Sequence, residues 1–441
     1  MNIIIYDITH LIHWRGNLTG IPRTTDEIGR RLLNLDNVVF VSWDMATNSF
    51  KTVNIRYYYD EVDPVNRNYF RNNDSGGKNN EHISLALTSR IKRRLKRKAP
   101  SLAHYYIKTK HKTASLFKNK TIKNNRLFSG SLEVQEGDIF FTPCGVWDNN
   151  NYINQLLDFK KEGCKLAFLC YDMLPIVVPQ FSGQWGKPME DFTKRVVSQC
   201  DIVFAISQYT KKDLTKWLKA NKLNIPKVSV IHLGDTFEQK ETAVPTSTEF
   251  IRSGVIETKE PFILCTGTME ARKNHTLLYY TYKLAKSRGI DLPKLIIAGR
   301  PGHRTENIIN IIQDDPDVSD KMYILPDTTD EELAWLYKNC KYTIYPSFYE
   351  GWGLPIAESI VQGVPCLCSN TSSMPEVAPG IADSFNPSSP DECLGKILEY
   401  QDPKLYKTAV EKTKQYKPTS WDYTYSQIID DFEAINNKAK D

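Results

Sequence analysis

Short apolar runs alternate with longer amphipathic stretches through the second half of this chain. Runs at Phe262–Thr266, Lys294–Ala298, Met322–Leu325 and Tyr342–Tyr345 are rich in branched and aromatic residues. Between and after them, 274–287, 305–313, Asp330–Asn339 and 355–362 space their apolar residues at helical intervals. Strands alternating with helices of this length predict a parallel sheet covered by helices. The first half is less regular. Strands are predicted at 3–8, 38–42, 53–59, 138–142, 165–171, 201–207 and 227–235, a helix at 23–33, and another opening at Ser207. Residues 10–20 read as a glycine-bearing loop between the first strand and the first helix, carrying Gly16, Thr19 and Gly20. Residues 66–80, rich in Asn, Gly, Asp and Ser, read as a mobile loop. The polar stretch 238–258 reads as an interdomain linker. Helices at 391–401 and Trp421–Asn437 complete the chain. The expected class is therefore α/β, with domains at 1–242 and 259–405 and the C-terminal helix at 420–441 counted with the first.

At 441 residues the chain has material for more than one core. It holds no apolar run of about 18 residues, so no spanning helix is expected. Asn2-Ile-Ile-Ile-Tyr-Asp7 is too short for a signal peptide and reads as a buried strand. The nine cysteines include no Cys-x-x-Cys pair. Most lie in apolar runs, which implies reduced core thiols in a reducing cytoplasm. The eight histidines show no His-Glu-x-x-His arrangement, and no protein-held metal or other cofactor is expected. The net charge of +5 is concentrated in one place. Residues 82–132 hold fourteen Lys and Arg and no Asp or Glu, while the remainder is acidic on balance. Within this basic insert, Leu87, Ile91 and Leu95 recur at every fourth position among cations. Such a basic amphipathic helix can lie on an anionic membrane surface. A solvated face is the plainer alternative. Aromatic residues among the lysines leave a nucleic-acid reading as a minor third, and no nucleic-acid partner is expected.

Residues 347–358 organise the second half: Ser-Phe-Tyr-Glu-Gly-Trp-Gly-Leu-Pro-Ile-Ala-Glu. Glu350 falls on a loop beyond a strand, and Glu358 falls inside the helix that follows. Glycines let backbone amides approach a ligand, and a helix N-terminus favours an anion. That is how an α/β sheet forms a nucleotide site beyond its strand ends. A second such turn, 267–274, reads Gly-Thr-Met-Glu-Ala-Arg-Lys-Asn. Its adjacent Arg272 and Lys273 suit a diphosphate, gripped at two points by one and met as a point charge by the other. Asp172 at a strand end suits hydrogen bonding to sugar hydroxyls, or capping of its own turn. Ser207 suits capping of the next helix or contact with a phosphate.

These stations together resemble the donor-site signature of retaining glycosyltransferases of family 4. Glu350 to Glu358 resembles the family's Glu-x7-Glu motif, continued by Gly363-Val-Pro-Cys366 and Met374-Pro-Glu376. Thr19-Gly20-Ile-Pro-Arg23 is similar to the family's first loop, with Arg23 either a phosphate or acceptor contact or a solvated first-turn residue. Asp172-Met-Leu-Pro175 resembles a His-Asp-x-x-Pro station, with Tyr171 where the family has histidine. Gly267, Thr268 and Lys273 occupy the Gly-Arg-x4-Lys station, with Thr268 at the arginine and Arg272 available to replace its charge. Gly299-Arg300-Pro-Gly302 resembles the loop beside the nucleotide base.

The resemblance implies a GT-B architecture: two Rossmann-like domains facing across a cleft, with the last helix crossing back to the first domain. It implies Glu350 on the donor sugar, Glu358 on the ribose, and amides of Gly353 and Leu354, with Gly20 and Gly267, on phosphate. Trp352 either shapes the sugar pocket or packs on the core. The implied activity is metal-independent transfer with retention from a nucleotide sugar, mannose from GDP-mannose first, to a lipid-linked or surface glycan of a bacterial cell. The enzyme would sit on the inner face of the cell membrane through the basic insert. A non-catalytic nucleotide-sugar-binding or glycan-binding subunit, or a nucleotide-sugar epimerase on the same fold, are the alternatives.

Overall fold

The computed structural model describes residues 2–15, 18, 20–63, 124–235, 242–255, 259–302 and 304–437. The mobile loop predicted at 66–80 and the basic amphipathic helix predicted at 84–98 lie outside them. Chain contacts divide the protein into one unit of Met1–Cys144 with Lys161–Cys164, and a second of Gly145–Lys160 with Lys165–Asp441.

The first unit orders its strands as β4-β3-β2-β1-β5, with β1 at Ile4–Asp7, β2 at Val38–Asp44, β3 at Ser49–Val53, β4 at Phe128–Ser131 and β5 at Ile139–Thr142. Strand β1 is parallel to both neighbours. It is buried along its whole length, as its unbroken apolar run requires. Two expectations fail here. Within the predicted loop 10–20, residues Thr9–His13 form a short helix, α1. Its entry is held by Asp7, which accepts from Thr9 N at 2.9 Å and Thr9 Oγ1 at 2.5 Å. The predicted strand 53–59 ends at Val53, because the Asn54 side chain accepts from Tyr57 N and starts a helical turn. Helix α2, Ile21–Leu32, follows Gly20, whose positive φ of 54° sets its entry.

The second unit carries two parallel sheets. One joins β6 (Lys165–Cys170), β7 (Ile202–Ala205) and β8 (Lys227–Val230). The other orders six strands as β11-β10-β9-β12-β13-β14, namely β9 Phe262–Thr266, β10 Lys294–Ala298, β11 Met322–Leu325, β12 Tyr342–Tyr345, β13 Cys366–Ser369 and β14 Asp383–Phe385. Every pairing in it is parallel. The helices between them are the predicted ones, displaced by a residue or so at their ends. Four position the site: α3 (Gln208–Ala220), α4 (His275–Ser287), α5 (Glu306–Asp314) and α6 (Leu354–Val361). The predicted linker is not all extended. Thr248–Ser253 is helical, capped by Ser247, and its Phe250 is buried against Leu264 and Ile296 of the six-stranded sheet. The C-terminal helix α7, Trp421–Asn437, returns to the three-stranded sheet. Lys165 donates to Asn436 Oδ1 at 2.8 Å, Thr424 donates to the His232 carbonyl at 2.6 Å, and Phe432 meets Phe204 edge-on. Two α/β domains with parallel sheets are thus present, as the alternation implied, and a C-terminal helix is present beside them. All nine cysteines are free, and all but the half-buried Cys144 are buried.

Candidate functional site

The site is assembled at the C-terminal ends of β9 and β12. Strand β12 delivers the chain to Pro346, and the turn that follows places Glu350 inward. Strand β9 ends at Gly267, whose φ of 102° turns the chain toward Ala271–Lys273. A Cβ at Gly267 would stand 2.6 Å from Lys273 Nζ, so only glycine lets the ammonium sit against this backbone. The two loops meet at Glu350. Arg272 Nη1 pairs with Glu350 Oε2, while Arg272 Nε reaches Glu270 Oε2 at 2.8 Å. The other Glu350 oxygen accepts from Tyr345 Oη at 2.8 Å and Ser347 Oγ at 3.0 Å. The Glu350 amide donates to Ser372 Oγ at 3.0 Å. Lys273 is buried, and its Nζ donates to Tyr345 Oη at 3.1 Å.

The electrostatics follow from this packing. Burial pushes the Glu350 carboxyl up, but the charges of Arg272 and Lys273 and the hydrogen bonds from Arg272 and Tyr345 outweigh it, leaving the group below its ordinary value. Burial pulls Lys273 down, and the nearby Arg272 adds to this, only partly opposed by Glu350. Burial also pulls on Arg272, yet Glu350 and Glu270 raise it overall. Asp172 reaches the same neighbourhood from β6. A Cβ at Gly351 would run into the Tyr171 carbonyl and stand 3.1 Å from Asp172 Cβ. The Asp172 carboxylate accepts from Leu174 N at 2.9 Å. Burial lifts its pKa, and Arg272 does not fully offset this.

The structure therefore brings Arg272, Lys273, Glu350 and Asp172 together. Glu358 joins them indirectly. Tyr337 Oη donates to Glu358 Oε2 at 3.4 Å and shares a 3.0 Å hydrogen bond with Thr266 Oγ1, next to Gly267. Glu358 is thus met by a side chain of the neighbouring helix, near the β9 end. Gly353, at φ 130°, precedes α6, with Leu354 and Pro355 in its first turn. Thr268 is exposed beside the loop of Gly299 and Arg300, where Met269 N donates to the Arg300 carbonyl at 2.8 Å. The Arg300 side chain is exposed and lies 3.8 Å from Asp327. Ser207 is fully buried, and its hydroxyl caps α3 by accepting from Thr210 N at 3.0 Å. The structure commits it to the cap. Trp352 is buried, edge-on to His232. Gly20 and Arg23 belong to the first unit, at the start of α2.

Contacts that sequence reasoning missed tie the two sheets of the second unit together. Glu376 accepts from the amides of Gln208 and Tyr209, both at 2.8 Å, and so occupies the N-terminus of α3. Tyr349 donates to Asp213 at 2.6 Å, Phe181 stacks on Phe348, and Arg304 donates to the Gln180 carbonyl at 2.7 Å. Tyr345 was legible only as a strand residue. Its terminal position in β12 is the one signal that its hydroxyl would emerge beside Glu350. Among the described residues no group of three or more His, Cys, Asp or Glu has the geometry to hold a metal ion, and no helix is long and apolar enough to cross a membrane.

Comparison with known proteins places these residues in context. Residues 246–408 match the family model for glycosyl transferases group 1. O-antigen chain mannosyltransferase B of Escherichia coli is 32% identical over 176 residues, which is 40% of this chain and 46% of that one. Serotype-specific mannosyltransferase WbdA of Escherichia coli is 23% identical over 256 residues, 56% of this chain and 31% of that one. The chain thus spans less than half the length of each of these relatives. Among solved structures, Anabaena Alr3699/HepE in complex with UDP and glucose superimposes with a TM-score of 0.56 at 11% identity, covering 98% of this chain and all of that one. At that identity the likeness concerns the fold alone, two α/β domains. The matched segment contains Arg272, Lys273, Glu350 and Glu358, so the part of the chain similar to glycosyl transferases group 1 is the part that builds the charged cluster.

Proposed function

We propose that this protein is a retaining glycosyltransferase of the family 4 type. It transfers a hexose, with mannose from GDP-mannose as first choice, to a growing lipid-linked or surface glycan such as an O-antigen, capsule or exopolysaccharide. One observation carries the reading. The Lys273 ammonium is buried against Gly267 with the neutral Tyr345 hydroxyl as its hydrogen-bond partner, and among the described residues it forms no ion pair. A buried cation without a counterion is costly, and an anionic ligand supplies what is missing. The names of the mannosyltransferase relatives support the sugar, and the UDP and glucose held by the Anabaena protein support a nucleotide-sugar donor.

In this reading the donor diphosphate lies against Lys273, Arg272 and the amides of Gly267, Thr268, Gly353 and Leu354. Arg300 lies near the base. Glu358 receives the ribose hydroxyls and Glu350 a donor-sugar hydroxyl. The bond between the sugar's anomeric carbon and the diphosphate oxygen breaks as positive charge grows on the sugar and negative charge on the leaving group. Fixed cations lower that barrier because they meet the charge where it develops. The acceptor oxygen attacks from the same face, and its proton passes to the departing phosphate oxygen. Asp172 orients the acceptor hydroxyl. Protein cations take the part a metal ion plays elsewhere, so no metal is required. The basic insert at 82–132 holds the enzyme on an anionic membrane surface. Incubation of the purified chain with GDP-mannose and an acceptor glycan tests the whole: a mannosylated product with retained anomeric configuration is expected. Release of GDP with no glycosylated product overturns the transfer reading, and release with an epimerised sugar replaces it with the epimerase.

A further inference from the structure

Lys273 carries its charge at the end of a long stem, and one contact fixes where that charge sits. The residue closes the short turn Ala271–Lys273. Its Nζ donates to Tyr345 Oη at 3.1 Å and lies 5.1 Å from the centre of the same ring. Tyr345 ends β12, a strand buried along its length and paired with both β9 and β13. A four-carbon ammonium stem has wide rotamer freedom, whereas a phenol on a buried strand has little. We infer that Tyr345 is a positioning residue for transfer: its hydroxyl aims the Lys273 ammonium at the donor diphosphate and couples it to Glu350. The inference rests on the glycosyltransferase reading and adds to it the group that sets the cation in place.

The chemistry fixes the direction of each bond. An ammonium only donates, so Tyr345 Oη accepts from Lys273. A hydroxyl has one proton, and this one goes to Glu350 Oε1 at 2.8 Å. A charged group stands at each end of the chain Lys273 to Tyr345 to Glu350, and each bond polarises the other. Tyr345 is buried and its proton is spent, so it acts through its two neighbours and not on the substrate. Of the three N–H groups of Lys273, Tyr345 takes one, and the other two meet no acceptor among the described residues. Those two remain for phosphate oxygens.

The frame around the pair is already rigid. Asn274 Nδ2 donates to the carbonyls of Pro346 at 3.1 Å and Pro387 at 2.8 Å, and Phe348 N donates to the Arg272 carbonyl at 2.8 Å. With the turn and the strand end braced in this way, the hydroxyl decides where the ammonium sits between them. A cation held in place needs no reorganisation as charge develops on the leaving group. The two ends depend on Tyr345 unequally. Glu350 Oε1 also accepts from Ser347 Oγ at 3.0 Å, so the carboxylate keeps a hydroxyl when the phenol is lost, and Lys273 keeps none.

Tyr345→Phe removes the hydroxyl and keeps the ring. The full chain, isotopically labelled at lysine Cε, is titrated by NMR between pH 7 and 10, the Lys273 resonance being the one absent from Lys273→Met. The ionisable groups facing Lys273 are Glu350, Arg272, Glu270, Cys265 on β9, His275 at the start of α4 and Tyr345 itself. Burial pushes Cys265 up to about 12, His275 down to about 3 and Tyr345 well above its ordinary value, so none of these three changes charge in that range. The Lys273 midpoint should fall by about one pH unit in Tyr345→Phe, because the ammonium loses its acceptor. Calorimetry at pH 7, with whichever of GDP and UDP the parent chain binds more tightly, should show affinity about tenfold weaker in Tyr345→Phe. Added to Lys273→Met, the same substitution should change affinity by less than about twofold. An unmoved Lys273 midpoint, or an equal loss of affinity with and without Lys273, overturns the positioning role. Failure of the parent reading looks different: binding of neither nucleotide to the parent chain removes the donor site, and Tyr345's part in transfer with it, whatever the Lys273 midpoint does.

Discussion

Two carboxylates stand at the ends of parallel strands in the second unit, and the protein treats them in opposite ways. Glu350 follows β12 and is met by the Arg272 guanidinium and the hydroxyls of Tyr345 and Ser347. Asp172 follows β6 and accepts one backbone amide, from Leu174. Both suffer burial, yet Glu350 ends below its ordinary pKa and Asp172 above. Burial alone makes a carboxyl a weaker acid, and a sufficient set of donors and cations reverses the sign. The contrast separates two tasks. Glu350 is held as a fixed negative charge that pairs with Arg272, and Asp172 is left more able to hold a proton where an acceptor hydroxyl would come. Opposed pKa values in one site are the usual basis for dividing acid–base roles.

The largest effect expected is at Glu350. Glu350→Ala removes the carboxylate paired with the buried Arg272, and breaking such a pair costs about 3–5 kcal/mol. Urea unfolding at pH 7 should register that loss, and mannosyl transfer should fall by ~10²–10³-fold. Gly351→Ala attacks the contact between the two loops, since its Cβ would press on the Tyr171 carbonyl. Unfolding should show a loss of about 1–3 kcal/mol, the range for overpacking a tight site. A fully stable Gly351→Ala variant would mean that the two carboxylate loops are not in contact.

Asp172→Asn should have the smallest effect on stability, and of opposite sign. The sign follows from linkage. Glu350, below its unfolded-state value of 4.5, stabilises the fold fully above that pH and loses this as pH falls through its folded value. Asp172, above its unfolded-state value of 3.8, costs stability as pH rises through its folded value. Thus the deficit of Glu350→Ala should shrink on acidification, while the gain of Asp172→Asn should grow toward neutral pH. Urea unfolding of each variant against the parent between pH 3 and 7 reads both trends. Parallel trends would erase the contrast.

Much of the fold was legible because the second half obeys one rule at every level. Apolar runs such as Phe262–Thr266 are buried strands, and polar starts such as Thr329 cap the helix that follows. The reading failed where a local side-chain bond overrode composition. The Tyr57-Tyr58-Tyr59 run has strand-like residues, but Asn54 caps a helical turn beneath it. Thr248–Ser253 looked like linker, but Ser247 and Phe250 make it a capped, anchored helix. In the site, Arg272, Lys273 and Glu350 could be named because charge beside glycine in a strand–helix turn is a local signal. Tyr345 could not, and Glu376 was legible only as a motif station, since each acts through a contact with other elements that only the fold creates.

The central claim is that Lys273 is buried so that a diphosphate can complete its charge. Calorimetric titration of GDP into the parent chain and into Lys273→Met tests it directly. The account predicts binding that weakens about 10–100-fold in the variant, the loss of one charge-assisted contact of about 1.5–3 kcal/mol. Equal affinity in the two proteins would contradict it.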